Sequence, residues 1–427
     1  MKQIRIILCL LAICFAACGS DDTPEPAPTP TPPPTPTPVS EDERTVLIYM
    51  AAQNNLSGYA HYDLEEMKEG SLSLNDNQNL IVYANVSDDD APYFIRFKDG
   101  KAVDSVSVKQ TTSADPATLE EAIRYMRDNY PAKSYGLILW GHSNGWLIKK
   151  DSIAYAKTRA YGVDEDASPD TWMNIPSMAR AIKNGLDGEK FTFIHGDCCS
   201  FNSVEVAYEL RHVADYIIGS PAEILDEGAD YSDLSGPFDT SATFYKKIID
   251  NYWDYVAGEI KNNPSIYYNK KRGDLDGYSI PLLVIKTSEL ENLAAATATL
   301  LNTISDKLKP SGTLDFDNSI YYAANNGLKY NYDMYKTLKK NTNEADFKAW
   351  EPAFEKAVPY YRLSPLWFSV VSTLTNGMVK FEAIKEDNRV LSMSFPNDTY
   401  NNIYPSWNKT IQQLQWNGPI SWQQYGW

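Results

Sequence analysis

Two short stretches carry side chains able to do nucleophilic chemistry. Gly141-His142-Ser143-Asn144-Gly145 closes the apolar run Leu137 to Trp140, and Asp197-Cys198-Cys199 follows the apolar run Phe191 to Ile194. Two chemistries compete for them. Gly141-x-Ser143-x-Gly145 has the glycine spacing of a serine nucleophile elbow. In the other reading His142 is a general base and the nucleophile is a thiol delivered from elsewhere in the fold. The chain has four histidines, His61, His142, His195 and His212. A hydrolase elbow needs its acid and then its histidine after the serine, near the end of the fold. His212, beside Arg211, reads as a solvated helix residue, and His195 lies only one strand beyond Ser143. The serine reading, with Ser143 as nucleophile, is therefore the weaker alternative.

The thiol reading gains from the cysteines. Of five, Cys9 and Cys14 fall within an apparent export signal and Cys18 at its end, which leaves Cys198 and Cys199. Neighbouring cysteines rarely pair with each other, because the geometry is strained. Two free thiols in an exported chain point to a reactive one. Asn202 and Glu205 have capping-box spacing, so a helix is expected from about Ser203, and its N-terminus would favour a thiolate nearby. Asp197 lies two residues before Cys199 and would oppose that thiolate. If it faces a neighbouring pocket instead, it offers a counter-ion for an Arg or Lys. The plainer readings stay open here: two small buried thiols at a strand end, an incidental histidine, and Asp197 as a helix-capping or solvated loop acid.

The elements that must position these groups alternate between strand and helix. Strands are expected over Thr45 to Ala51, Asn79 to Val86, Leu137 to Trp140, Phe191 to Ile194, Asp215 to Ser220 and Tyr278 to Ile285. A hairpin over Tyr93 to Val108 turns at Asp99-Gly100. Helices are expected from about Tyr62 to Lys68, and over Ala117 to Tyr130, Met173 to Leu186, Asn202 to Val213, Ala242 to Ala257 and Leu290 to Leu308. This order predicts a mostly parallel sheet covered on both faces, an α/β/α sandwich whose strands present reactive groups at their C-terminal ends. Lys149 to Thr171 is charged and aperiodic, hence an exposed loop. Beyond about residue 310 the pattern changes to short Tyr- and Asn-rich segments with a late strand pair, Met378 to Ile384 with Val390 to Phe395. The expected organisation is a core over 43–310 and a smaller region, 311–427, packed on it.

The front end reads as an address. Lys2 and Arg5, the apolar run Ile6 to Phe15 and the small pair Ala16-Ala17 make a secretory signal over 1–17, too short to span a membrane. Phe15-Ala16-Ala17-Cys18 resembles a lipobox, so Cys18 is expected to carry lipid. Gly19-Ser20-Asp21-Asp22 resembles an acidic export tag, and the Pro- and Thr-rich segment to about residue 42 reads as an extended tether. An exported lipoprotein at the outer membrane or cell surface follows. The formal charge of −17 argues against nucleic acid as a partner.

Taken together, four stretches resemble the clostripain-like (C11) cysteine peptidases, relatives of caspases, legumain and gingipains. They are Val46-Leu47-Ile48-Tyr49-Met50-Ala51-Ala52 with Asn54-Asn55-Leu56; Leu139-Trp140-Gly141-His142 with Gly145-Trp146; Asp197-Cys198-Cys199 with Ser203 to Leu210; and Ala214 to Glu223. The resemblance implies a caspase-like fold and cleavage after Arg or Lys in protein or peptide substrates. It makes His142 and Cys199 the catalytic pair, Cys198 the variable residue between the acid and the nucleophile, and Asp197 the acid of the primary pocket. Backbone N–H groups of Ser143 and Cys199 would form the oxyanion hole. Two positions depart from the pattern: Ser143 stands where many members have glycine, and His195 where an apolar or aromatic residue is commoner. Members are often activated by self-cleavage between the histidine and the cysteine. Lys149, Lys150, Lys157 and Arg159 lie in that interval, and the Arg159-Ala160 bond is the candidate. Some members need calcium; Asp164, Glu165, Asp166 and Asp170 read instead as a solvated loop, and no cofactor is expected. A monomer is expected. The non-enzyme alternative is a surface lipoprotein whose peptidase fold serves binding or adhesion.

Overall fold

The structure is a computed structural model that describes residues 42–109, 112–147, 161–164, 171–262, 280–325, 328–364, 366–368, 378–380, 387–404 and 406–427. The export signal, Cys18, the tether, the cleavage candidates Lys149, Lys150, Lys157 and Arg159, and the acids Glu165, Asp166 and Asp170 lie outside the described residues.

The first strands are β1 (Arg44–Ala52), β2 (Gln78–Val86), β3 (Tyr93–Lys98), β4 (Lys101–Ser107) and β5 (Tyr135–Gly141). They are followed by β6 (Tyr161–Asp164), β7 (Thr171–Met173), β8 (Phe191–Asp197), β9 (Ala214–Gly219) and β10 (Leu282–Lys286). Later come β11 (Tyr321–Asn325), β12 (Leu328–Asp333) and β13 (Tyr360–Arg362). One nine-stranded sheet runs β13-β10-β9-β8-β5-β1-β2-β3-β4. Its centre, β2-β1-β5-β8-β9, is parallel, and both edges add antiparallel strands.

Both faces of the central strands are apolar, which is what a parallel sheet covered on two sides demands. Along β1, Leu47, Tyr49 and Ala51 enter one hydrophobic cluster, while Val46, Ile48, Met50 and Ala52 enter another. On the first face pack α2 (Pro116–Asn129), α3 (Ile175–Gly185) and α4 (Val204–Leu210), through Leu119, Ile123, Met178, Ile182 and Val206. On the second pack α1 (Ser57–Gly70) and α5 (Phe244–Asn262), through Ala60, Leu64, Met67, Ile248 and Tyr252. The expected α/β/α sandwich is the observed one.

Four details differ from expectation. Tyr161–Asp164 is not exposed loop but a buried strand paired with β7; Asp164 accepts from the Ser113 amide at 2.8 Å and from its hydroxyl at 2.5 Å. Asp164 is thus consumed by structure rather than solvated. The helix over Leu290 to Leu308 is broken at Thr303-Ile304. The two late strands do not pair with each other: Met378–Lys380 pairs with Leu366–Phe368, and Ser392–Met393 with β12. Lastly, Ser203 rather than Asn202 caps α4, its Oγ accepting from the Val206 amide at 3.3 Å. Asn202 is buried and donates to the carbonyls of Ile217 and Leu283.

Candidate active site

Parallel pairing of β5 with β8 sets Trp140 opposite Asp197, so the two strands end side by side. His142 leaves β5 and Cys198-Cys199 leave β8 at that shared edge. Gly141 makes the exit possible. Its φ is +136°, and a Cβ there would meet the Ala51 carbonyl oxygen at 2.7 Å. Gly145 closes the turn at φ +62°, with no room for a Cβ against the Ser200 carbonyl oxygen at 2.4 Å. The two strand-end turns are therefore in backbone contact.

A small cavity of about 30 Å³ opens where they meet, lined by His142, Cys199 and Asp197 together with Leu56, Trp140, Leu225 and Gly228 among others. His142 is half-buried, and its Nε2 lies 2.8 Å from Asn55 Oδ1. Asn55 comes from the loop after β1. An amide oxygen at this distance accepts from a protonated Nε2 and helps orient the ring. Cys199 is half-buried with its Sγ 4.0 Å from the Ile224 carbonyl oxygen, whereas Cys198 is buried. Burial pushes the Cys199 thiol well above its ordinary value, and Glu223 pushes it further. Burial does the same to Cys198. The expectation that a helix terminus would favour the thiolate fails: α4 begins only at Val204, and buried surroundings with acidic neighbours dominate. These surroundings favour the thiol over the thiolate.

Ser143 is buried, and its hydroxyl accepts from the Gly145 amide at 3.1 Å, which closes the turn. His195 is buried edge-to-face against Tyr252, and burial lowers its pKa. His212 is exposed at the end of α4. The hydroxyl thus serves its own turn, and the serine reading finds no support in this geometry.

Asp197 is 3% exposed. Its Oδ2 accepts from the Tyr231 hydroxyl at 2.7 Å and the Ala229 amide at 3.1 Å, and its Oδ1 from the Tyr252 hydroxyl at 2.9 Å. Gly228 lies over the carboxyl so closely that a Cβ would stand 2.7 Å from Oδ2. Asp197 is therefore fixed at the cavity wall by donors from the 228–231 loop and from α5, not by capping a helix. Asn55 stands in one of the four family-like stretches, just after β1, but Tyr231 and Tyr252 had no signal in the sequence as partners of this site, because they reach Asp197 from 34 and 55 residues away.

Among the described residues no group of three or more His, Cys, Asp or Glu is gathered to hold a metal ion, and no helix is long and apolar enough to cross a membrane.

The Clostripain family model matches residues 48–425. Clostripain of Hathewaya histolytica is 26% identical over 224 residues, 44% of this chain and 41% of that protein; the match thus spans less than half of that relative's length. A secreted C11 cysteine protease from Bacteroides thetaiotaomicron, solved with an irreversible peptide inhibitor, superposes with a TM-score of 0.73 at 28% identity. That comparison covers 90% of this chain and 99% of the other. An inactive zymogen C11 protease from Parabacteroides distasonis superposes with a TM-score of 0.69 at 26% identity, with coverage of 90% and 99%.

Proposed function

The chain belongs to the clostripain family of cysteine peptidases, and from that premise we propose that it is a surface-anchored endopeptidase cleaving after Arg or Lys, with Cys199 as nucleophile and His142 as its base. The observation that carries this reading is the meeting of His142, Cys199 and Asp197 at one cavity from two neighbouring strand ends.

The chemistry follows from those positions. His142 takes the Cys199 proton as the thiolate attacks the scissile carbonyl, then gives it to the leaving amine. A thioester remains, and water activated by the neutral imidazole releases the acid product. Backbone N–H groups of Cys199 and Ser143 receive the oxyanion. A carboxylate has about four lone-pair positions, and three donors already occupy Asp197, so one position is left for a P1 guanidinium or ammonium at the cavity. The resting thiol suits an enzyme that ionises its nucleophile only together with His142, when substrate excludes water.

Three further parts belong to the proposal. Self-cleavage falls in the 149–160 interval, at Arg159-Ala160 in the first instance. Cys18 carries lipid and tethers a monomeric catalytic head to the outer membrane. Neither calcium nor another cofactor is required. A thiol-reactive Arg chloromethyl ketone followed by peptide mapping tests the central part: modification at Cys199 supports it, and modification at Ser143 or none refutes it. Intact mass of the wild type against Cys199→Ala after incubation tests the clip; an active enzyme that stays whole contradicts it.

A further inference from the structure

One buried acid is left without a role by the chemistry above. Asp63 lies on α1 and is fully buried. Its Oδ2 accepts from the Trp140 indole at 2.6 Å, while Oδ1 is buried without a hydrogen-bond partner. Trp140 lines the catalytic cavity and stands on β5 directly opposite Asp197, on the same face of the sheet. The helix that carries Asp63 also holds the loop covering Asp197, because Glu66 Oε2 accepts from the Tyr231 amide at 3.2 Å. Asp63, Trp140, Tyr231 and Asp197 are thus one cluster behind the cavity.

We propose that Asp63 is a second anionic determinant of the primary specificity pocket, which fixes the Trp140 wall and adds its charge behind it to the field that Asp197 presents to a cationic P1 side chain. This rests on the reading of Asp197 given above. Three observations converge on it. Asp197 is largely spent on Tyr231, Tyr252 and the Ala229 amide, so it cannot alone accept the two-pronged hydrogen bonds of a guanidinium. A second carboxylate in a low-dielectric wall acts through distance without contact. Asp63 is also a poor structural choice. A buried carboxyl with one donor and a like charge nearby costs stability, and an Asn would hold the indole as well. Burial, followed by Asp197, raises its pKa to about 9. Asp197 on β8, Glu66 on its own helix and Glu227 on the covering loop all raise it, and only the Trp140 hydrogen bond opposes them; Tyr231 packs in the same cluster. Asp63 is therefore neutral at rest and ionises when a cation arrives, releasing a proton.

The test follows KM and kcat for an Arg-ended fluorogenic peptide between about pH 6 and about pH 9, in the wild type, Asp63→Asn, Asp197→Asn and Trp140→Phe. Wild-type KM should fall as pH rises through this range. Asp63→Asn should flatten that dependence and raise KM about five- to tenfold at the alkaline end, with kcat changed little. Trp140→Phe keeps the carboxyl but removes the one hydrogen bond that lowers its pKa, so the fall in KM should move to higher pH, and a wild-type profile in that variant overturns the proposal. Melting temperatures give a second readout. A carboxyl whose pKa is raised on folding withdraws stability as pH climbs from its unfolded value toward the folded one. Asp63→Asn should therefore melt above the wild type at about pH 8 and match it near pH 4. An Asp63→Asn profile identical to the wild type overturns the proposal while leaving Asp197 in place. Unchanged Arg cleavage by Asp197→Asn overturns the pocket reading beneath it.

Discussion

Cys199 lies among groups that oppose its ionisation, with Glu223 the strongest of them after burial itself. Glu223 is pushed up to about 8 by burial and by Asp226. As pH rises through that value it gains charge and makes the thiolate harder to form. Glu223→Gln should accordingly lower the Cys199 pKa and speed alkylation by iodoacetamide about two- to tenfold at pH 8, with little change near pH 6. Equal alkylation rates at both pH values would show that Glu223 does not govern the thiol. The convergence of His142 and Cys199 was legible in the sequence because four histidines left few pairings and both residues end apolar runs. Asp63, Tyr231 and Tyr252 were not, since nothing local distinguishes a buried acid or tyrosine that touches a site from one that does not.

At the scale of elements, the central strands β1, β5 and β8 were legible from their apolar runs, which need cover on both faces. Asp164 and the late strands were misread for one reason: a short polar segment becomes a strand only when a partner is already in place. The two strand-end turns are locked by backbone contact, and Gly145→Ala should displace one against the other. A φ of +62° and a carbonyl at 2.4 Å leave a methyl nowhere to go. A shift of about 1 Å between the reacting groups can cost about a hundredfold in kcat/KM, which is the loss expected on a peptide substrate, together with a clear drop in melting temperature. The cap of α4 makes a separate prediction. Ser203→Ala removes the acceptor for the Val206 amide and should cost about 1 kcal/mol in urea unfolding; no measurable loss would mean the amide finds another partner.

Across the whole molecule, residues beyond 310 are built into the same body as the His142 and Cys199 turns, with β13 forming one edge of the nine-stranded sheet. Glu205 on α4 accepts from the Ser394 amide at 2.7 Å, Glu209 accepts from the Gln415 side chain at 2.8 Å, and Trp146, just after the His142 turn, donates to Asn331 at 2.7 Å. One hydrophobic cluster runs through Trp146, Val206, Tyr330 and Trp407. Glu205 is pushed by burial to about 7, above its unfolded value. Stability present below about pH 4.5 is thus lost as pH rises through 7, and Glu205→Gln should flatten that decline and gain up to about 2 kcal/mol at pH 8. Thermal denaturation at both pH values checks it; a pH dependence equal to the wild type's would place the decline elsewhere. That frame sets Cys199, rather than its buried neighbour, at the cavity as the proposed nucleophile. Steady-state hydrolysis of a fluorogenic peptide panel ending in Arg, Lys or neutral residues, by the wild type, Cys199→Ala and Cys198→Ala, decides between the two thiols. Arg/Lys-directed turnover should vanish in Cys199→Ala and largely survive in Cys198→Ala; turnover that persists without Cys199, or vanishes only without Cys198, would show that Cys199 is not the nucleophile.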